Sequence, residues 1–167
     1  MARVVFMGTP QFAVPSLQRL IRDGHELIVV TQPDRPAGRG KKTEMPPVKQ
    51  AALPHHLPVW QPESVNTATF LAQLREWKPQ AGVVVAFGQI LGPELLLIPA
   101  HGYLNVHASL LPRHRGASPV AAAILAGDAV TGTTIMLIDE GLDTGPILAQ
   151  EQIAIERDDT TATLESR

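Results

Sequence analysis

The sequence predicts an α/β fold in which helices cover both faces of a mixed, mostly parallel sheet. Apolar runs of strand length, such as ARVVFMG and HELIVVTQ, alternate with segments that carry apolar residues at helical spacing, such as FLAQLREW. This alternation is typical of a parallel sheet. The last two apolar runs are joined only by EGLDTG, which is short enough to make them an antiparallel hairpin. At least one strand therefore runs against the others.

Seven strands and five helices are predicted in chain order. The strands are ARVVFMG, HELIVVTQ, LPVWQP, QAGVVVAFG, GYLNVHASLL, TGTTIMLID and PILAQEQIAIE. The helices are PQFAVPSLQRLIRDG, which Gly24 closes, VKQAALPHH, SVNTATFLAQLREW, ASPVAAAILAG, which Gly127 ends, and the beginning of one in DDTTATLESR. Ser64 or Asn66 is predicted to cap the third helix. Residues 33–47 are rich in proline and glycine and are predicted to form a loop long enough to be functional.

Composition excludes several classes of protein. The 167 residues suffice for one domain, since a chain of this length buries roughly two-thirds of its surface on folding. The sequence has no cysteine, which excludes disulfides, thiolate metal sites and a cysteine nucleophile. No segment resembles a signal peptide, and no window is apolar enough to span a membrane. We therefore expect a cytoplasmic protein without a membrane partner. The last predicted helix has room for only two turns, so we expect the natural chain to continue.

Charge is distributed unevenly although the net charge is only −2. Five basic side chains crowd one segment that holds only two acidic ones, and half of the 16 acidic residues lie from Asp139 onward. The basic residues are Arg35, Arg39, Lys41, Lys42 and Lys49. A basic loop on a nearly neutral protein can steer a phosphate-rich ligand, or it can be a solvated loop without a role. Charge alone leaves both interpretations open.

Polar side chains recur at every second position of the predicted fifth strand. Alternate residues of a strand share one face, so Tyr103, Asn105, His107 and Ser109 are predicted to point the same way. Ligands of open α/β sheets bind outside the carboxyl ends of strands. If the helix at 117–126 returns the chain to the sheet, the sixth strand ends at the same edge. Asp143, in the turn after it, can then converge with this row.

These three residue types suit catalysis at an acyl carbon. An amide such as Asn105 stabilises a developing oxyanion, and a histidine such as His107 does the same or moves a proton. A carboxylate such as Asp143 orients the imidazole ring. No serine lies in a nucleophile elbow, so the pattern favours direct attack by an amine or by water. The alternative is structural: a strand histidine, a backbone-binding asparagine and a glycine-rich turn. Zinc on His107, His114 and Asp143 is not expected, because His114 lies beyond Pro112 in a loop.

The motifs NVHASLLP and GLDTGPI, with the Asn–His–Asp set, resemble the formyltransferase family that uses 10-formyltetrahydrofolate. FMGTPQFAVPSL and TQPDRPAGRGKK are similar to the branch of that family whose acceptor is methionyl-initiator tRNA. The resemblance implies a Rossmann-like, three-layer α/β/α formyltransferase fold with a mixed, mostly parallel seven-stranded sheet over residues 1–167. It also implies a C-terminal tRNA-binding domain beyond residue 167.

The family resemblance implies a role for each candidate residue. Asn105 and His107 are expected to stabilise the tetrahedral oxyanion, while Asp143 orients His107 and assists proton transfer through water. The formyl donor, 10-formyltetrahydrofolate, is the implied cosubstrate, and no metal is expected. Its implied contacts are Ser109, Leu110, Leu111, Pro112, Phe87, Gly88, Gln89, Ile90, Leu91, Asp139, Glu140 and Gly141. The implied tRNA contacts are Arg35, Arg39, Lys41 and Lys42. We expect a monomer.

The sequence departs from this family at two positions and leaves other activities open. Position 114 is His where the family often has Trp, and position 87 is Phe where Tyr is common. The alternatives are a formyltransferase for another amine, such as glycinamide ribonucleotide or a nucleotide sugar, and a hydrolase that releases formate from the folate. The third alternative is a non-catalytic α/β binding module.

Overall fold

Four parallel strands organise the first of the two units into which the chain divides, Met1–Tyr103 and Leu104–Arg167. The structure, a computed structural model, describes every residue except 38–41, with the backbone alone at Ala37 and Lys42. The strands of this unit are β1 (Arg3–Gly8), β2 (Glu26–Val30), β3 (Arg35–Ala37), β4 (Lys42–Glu44), β5 (Val59–Trp60) and β6 (Ala81–Val85). Its helices are α1 (Val14–Arg22), α2 (Pro47–Ala52), α3 (Ala68–Trp77) and α4 (Pro93–Leu96).

The parallel strands lie in the order β5-β2-β1-β6. Val5, Phe6 and Met7 of β1 are fully buried, as expected for a central strand whose two faces are both covered. Helix α1 buries Leu17, and α3 buries Leu74. The continuous apolar runs that predicted these strands are therefore explained by burial of both faces of the sheet.

The prediction that residues 33–47 form only a loop is wrong. β3 and β4 pair there as an antiparallel hairpin, with Arg35 opposite Glu44 and Pro36 opposite Thr43. A three-residue strand beginning Arg-Pro carries neither the length nor the β-branched composition from which a strand is predicted. The basic segment is thus held at its base by a two-stranded ladder.

The predicted cap of α3 is also wrong. The hydroxyl of Thr67 accepts the hydrogen bond from the Phe70 N–H at 3.3 Å, so the helix begins after Thr67. The Asn66 side chain instead accepts from Gly92 N–H at 2.8 Å and donates to the Ile90 carbonyl at 2.9 Å. Asn66 therefore braces the chain just before α4, a four-residue helix that the sequence pattern did not predict.

The second unit is organised by antiparallel strands. It contains most of β7 (Tyr103–His107), with β8 (Val130–Leu137), β9 (Ile147–Ala154), α5 (Pro119–Leu125) and α6 (Thr161–Glu165). β8 pairs antiparallel with both β7 and β9, so it runs in the opposite direction to these two neighbours. Thr160 and Thr163 form a reciprocal capping box at the start of α6.

The predicted α/β fold class is confirmed, since helices accompany parallel strands in the first unit and antiparallel strands in the second, so that the strand pairing is mixed. The predicted hairpin across EGLDTG is confirmed as the β8–β9 pair. Among the residues that the structure describes, no helix is long and apolar enough to cross a bilayer.

Candidate active site

The polar row of β7 and of the residues directly after it is buried rather than solvated. Tyr103 is 1% exposed, His107 6% and Ser109 0%, and Asn105 is half-buried. An ordinary solvated sheet face would leave these side chains in water. Buried polar side chains usually have hydrogen-bond partners, and here the Tyr103 hydroxyl has none among the described residues, whereas Asn105, His107 and Ser109 do. The partners of these three residues define the site.

Asp143 lies close to both Asn105 and His107. The Asn105 side-chain N–H donates to Asp143 Oδ1 at 3.3 Å, and Asp143 Oδ2 lies 3.6 Å from His107 Nδ1. The backbone N–H of Gly116 donates to the same Oδ2 at 2.7 Å. The structure therefore brings together the three side chains that the sequence singled out as catalytic candidates.

The expected route to this cluster is wrong in one respect. Strand β8 runs antiparallel to β7, with Leu137 opposite Leu104 and Thr134 opposite His107. The carboxyl end of β8 thus lies beside the beginning of β7, not beside His107. The turn after β8 brings Asp143 back to the cluster, and Asp143 itself adopts a left-handed conformation with φ 51°. Asp and Asn tolerate this conformation better than most residues, which suits an aspartate here.

Both ring nitrogens of His107 face protein groups. Nε2 lies 2.9 Å from the carbonyl oxygen of His114, which can only accept, so this contact is a hydrogen bond when Nε2 carries the proton. Nδ1 faces Asp143 Oδ2. Only one hydrogen bond from the Asn105 amide is formed within the described residues, and an amide nitrogen has two protons. In this arrangement Asn105 is therefore the group with a donor to offer to a bound carbonyl.

The segment after β7 is fixed by a hydroxyl and an amide that the sequence analysis missed. The hydroxyl of Thr134 donates to the Ser109 carbonyl at 2.6 Å and accepts from Leu111 N–H at 3.1 Å. The Gln150 side chain donates to the Leu111 carbonyl and to the Thr134 hydroxyl, each at 2.9 Å. A polar residue at a buried position of β8 was the available signal, but threonine is common in strands.

The predicted folate contacts that follow β7 differ in exposure. Ser109 is fully buried, and its hydroxyl donates to the Arg113 carbonyl at 2.6 Å. Leu111 is 6% exposed, whereas Pro112 is exposed and follows a cis peptide bond. In this conformation Ser109 shapes the segment from within, and Pro112 is available at the surface.

The predicted folate contacts at 139–141 lie in an exposed turn. Asp139 Oδ1 accepts from Gly141 N–H at 3.0 Å and from the Thr144 hydroxyl at 2.7 Å. Side chains of Asp139 and Glu140 are exposed, as is Gly141. A Cβ at Gly145 would overlap the Leu137 carbonyl, so the turn requires glycine there. This turn carries Asp143 at its centre.

The remaining predicted folate contacts, residues 87–91, belong to the first unit. Phe87 is 2% exposed, and its carbonyl accepts from the Thr9 hydroxyl at 2.9 Å and from the Gln32 amide at 3.2 Å. Gln89 accepts from the Val65 N–H, while Ile90 is 86% exposed. Gly88 has a left-handed φ of 87°, and Leu91 is half-buried. The segment has fixed backbone and presents one large apolar side chain to solvent.

Of the four predicted tRNA contacts, the structure describes the Arg35 side chain alone. Arg35 is exposed and donates to the Gln32 side chain at 3.2 Å. Arg39 and Lys41 lie outside the described residues, as does the side chain of Lys42. Arg35 also lines a cavity of about 400 Å³ bordered by Thr9, Gln32 and Met45.

Comparison with known proteins places this chain in the formyl transferase family. The family model described as formyl transferase matches residues 2–167. The methionyl-tRNA formyltransferase of Pelotomaculum thermopropionicum is 54% identical over 163 residues, which are 97% of this chain and 52% of that protein. That of Caldanaerobacter subterraneus is 53% identical over 167 residues, 99% of this chain and 54% of that protein.

Solved structures show the same fold. The phosphoribosylglycinamide formyltransferase of Bacillus halodurans matches with a TM-score of 0.79 and 29% identity, covering 98% of this chain and 86% of that one. The sugar 3N-formyl transferase WlaRD matches with a TM-score of 0.72 and 24% identity, covering 98% of this chain and 56% of that one, and this likeness concerns the fold alone. The chain spans about half the length of the curated relatives that it matches.

Proposed function

Because the chain belongs to the formyl transferase family, we propose that it is the catalytic part of a methionyl-tRNA formyltransferase. The reaction transfers the formyl group of 10-formyltetrahydrofolate to the amino group of methionyl-initiator tRNA. The relatives of that name, more than 50% identical over almost all of this chain, support the choice of acceptor. The proposed chemistry rests on one observation, which is that the side chains of Asn105, His107 and Asp143 lie next to one another.

In the proposed mechanism the acceptor amine attacks the formyl carbon directly. Asn105 donates its remaining N–H to the formyl oxygen as negative charge develops there, which is the role of an oxyanion-hole donor. His107 supports that charge as the imidazolium, with Nε2–H directed at the His114 carbonyl and Nδ1–H at Asp143 Oδ2. Asp143 orients the ring of His107 and accepts the proton that leaves the amine, through a water molecule. Asp143 then returns that proton, through the water, to the leaving nitrogen of the folate as the bond between this nitrogen and the formyl carbon breaks.

The proposed folate site uses the segments next to this cluster in sequence. Leu110, Leu111 and Pro112 follow β7, and Asp139, Glu140 and Gly141 precede Asp143. Ser109 acts by shaping the first segment, because its own side chain is fully buried. Residues 87–91 are proposed to contribute backbone groups and the exposed Ile90 side chain. The acceptor tRNA is proposed to bind the basic hairpin, which consists of β3, β4 and the residues between them in sequence, and a domain beyond residue 167.

A second candidate is transfer of the formyl group to a smaller amine. The likeness to the phosphoribosylglycinamide formyltransferase of Bacillus halodurans favours this candidate, since that match covers most of both chains. The basic segment around Arg35 favours the tRNA acceptor instead, because a polyanion gains more from clustered positive charge than a single phosphate does.

The test supplies the longer natural protein with the formyl donor and either charged initiator tRNA or glycinamide ribonucleotide. Formylmethionine on the tRNA is the expected product, and formylation of the glycinamide alone would favour the second candidate. Formate release without an acceptor would favour a hydrolase. Asn105→Ala is expected to lower kcat about 10²–10³-fold with donor binding retained, the usual cost of one oxyanion donor. Gln152→Ala, on the exposed β9, is the matched control.

A further inference from the structure

A second histidine–carboxylate pair lies directly behind the catalytic cluster. His114 Nε2 lies 2.7 Å from Asp128 Oδ2, and the side chains are only 17% and 13% exposed. The carbonyl oxygen of the same His114 residue accepts from His107 Nε2 at 2.9 Å. One residue thus contacts a carboxylate through its ring and the catalytic imidazole through its backbone.

His114 adopts a left-handed conformation, with φ 53°. For a residue other than glycine this conformation is uncommon and persists only when its surroundings hold it. The direction of the His114 carbonyl depends on that conformation, and so does the acceptor for His107 Nε2–H. Something must therefore hold residue 114.

The Asp128 carboxylate is well placed to hold it. Asp128 follows Gly127 at the end of α5, and its N–H donates to the Ala123 carbonyl at 3.1 Å. Gly127 takes the left-handed conformation that ends the helix, with φ 69°. The carboxylate is thereby anchored to a helix end. Arg113 contacts its other oxygen from the surface, at 2.5 Å, with a guanidinium side chain that is 65% exposed.

Packing alone does not fix the His114 ring. A cavity of about 110 Å³ adjoins the pair and is lined by Leu110, Val130 and Thr131. A side chain with open space beside it can change rotamer unless a directed bond prevents this. The hydrogen bond to Asp128 is that bond.

We propose that His114 and Asp128 are positioning residues that fix the protonation site of the catalytic His107. Asp128 holds the His114 ring, the ring holds residue 114 in its left-handed conformation, and the His114 carbonyl holds the proton of His107 on Nε2. In the uncharged ring Nδ1 then carries no proton, and it has a hydrogen to direct at Asp143 Oδ2, 3.6 Å away, only when both ring nitrogens are protonated. This proposal rests on the proposed function for its catalytic meaning, although the tautomer of His107 can be measured without substrate.

The test combines a spectroscopic and a kinetic measurement. Protein labelled with ¹⁵N-histidine reports which ring nitrogen of each histidine carries the proton, and His107→Gln assigns the His107 signals. We expect an Nε2–H tautomer in the native protein. Asp128→Ala and His114→Ala are expected to give a mixture of tautomers. They are also expected to lower kcat of the longer natural protein by up to about 10²-fold, with KM for the formyl donor within about twofold.

Two further variants separate positioning from a purely structural role. Asp128→Asn keeps an acceptor oxygen and is expected to restore most of the Nε2–H tautomer. Arg113→Gln removes the exposed guanidinium but leaves the His114–Asp128 pair, so tautomer and kcat are expected to stay unchanged. An equal loss in Arg113→Gln, or an unchanged tautomer in a folded Asp128→Ala protein, would overturn the proposal. If Asp128→Ala does not fold, an Nδ1–H tautomer in the native protein would overturn it as well.

Discussion

The Asn105 amide donates to Asp143 Oδ1 at 3.3 Å, while the Gly116 N–H donates to the other oxygen of the same carboxylate at 2.7 Å. Two donors from different parts of the second unit thus fix the plane of the Asp143 side chain. This fixed carboxylate faces Nδ1 of His107. A catalytic group held in place before substrate binds spends less free energy on reorganisation during the reaction.

The Asp143→Asn substitution tests whether that carboxylate is catalytic. An asparagine side chain at this position would keep the shape of the aspartate but present an NH₂ group to either the Asn105 amide or the Gly116 N–H. It would also lose the capacity to accept a proton. We expect kcat for formyl transfer to fall about 10²–10⁴-fold, the range typical of a lost general base. Single-turnover kinetics with saturating donor measure this effect.

Asp158→Asn is the matched control for Asp143→Asn, because Asp158 is exposed and precedes α6. Binding of the formyl donor to both variants, measured by calorimetry, is expected to stay within a few-fold of the native value. A rate for Asp143→Asn equal to that of the control would contradict the proposed mechanism.

The catalytic candidates could be predicted because strand alternation places Asn105 and His107 on one face whatever the rest of the fold. Asp143 could be predicted only as a residue of a turn near the end of a strand. The local sequence pattern does not determine the direction of β8, because a buried apolar run is the same in a parallel and in an antiparallel pair of strands.

The supporting residues could not be predicted for a different reason. Thr134 is one of three threonines in TGTTIMLID, and only the register of β8 on β7 shows that it lies opposite His107. Thr67, not Ser64 or Asn66, caps α3, although all three residue types cap helices well. In both cases tertiary contacts choose among residues with equal local preference.

Thr134→Val tests the importance of the hydroxyl that fixes the segment after β7. Valine has the shape of threonine, so the change removes hydrogen bonds with little change in packing. The Ser109 carbonyl and the Leu111 N–H would lose a buried partner, and each such loss costs about 1–3 kcal/mol. We expect the free energy of unfolding in urea to fall by about 2 kcal/mol or more, and KM for the formyl donor to rise.

The neighbouring Thr133→Val is the control, because residue 133 points to the opposite face of β8 and is only half-buried. It is expected to change the free energy of unfolding by about 0.5 kcal/mol or less. If the two variants lost equal stability, the Thr134 hydroxyl would have no special role.

Asp34 predicts a specific dependence of stability on pH. Hydrogen bonds from the Gln61 side chain, at 2.6 Å, and from Lys49, at 2.7 Å, hold the pKa of the Asp34 carboxyl below its ordinary value of 3.8. The group therefore binds a proton more readily in the unfolded chain. Its contribution to stability is fully present above pH 3.8 and is lost as the pH falls from 3.8 through the lower pKa of the folded state.

Urea unfolding of the native protein and of Asp34→Asn, at intervals between about pH 7 and pH 3, measures this contribution. At the neutral end of this range the native protein is expected to be more stable than Asp34→Asn. The difference between their free energies of unfolding is expected to narrow below about pH 4. Asp23→Asn, which removes the partner of an exposed ion pair with Arg19, is expected to show little difference at any pH. A constant difference between native protein and Asp34→Asn across the range would contradict the assignment.

The basic hairpin predicts a salt-dependent effect on tRNA alone. Arg39 lies between β3 and β4, whose pairing fixes the base of the hairpin. If Arg39 contacts a tRNA phosphate, Arg39→Ala in a protein that includes the proposed tRNA-binding domain is expected to weaken tRNA binding and to lower the slope of log K against log salt by about one. Arg39 is not among the proposed contacts of the formyl donor, so the affinity for the donor is expected to stay unchanged. Arg22→Ala, at the end of α1, removes an equal charge from outside the hairpin and is the control. Equal salt slopes for Arg39→Ala and the native protein would remove Arg39 from the tRNA interface.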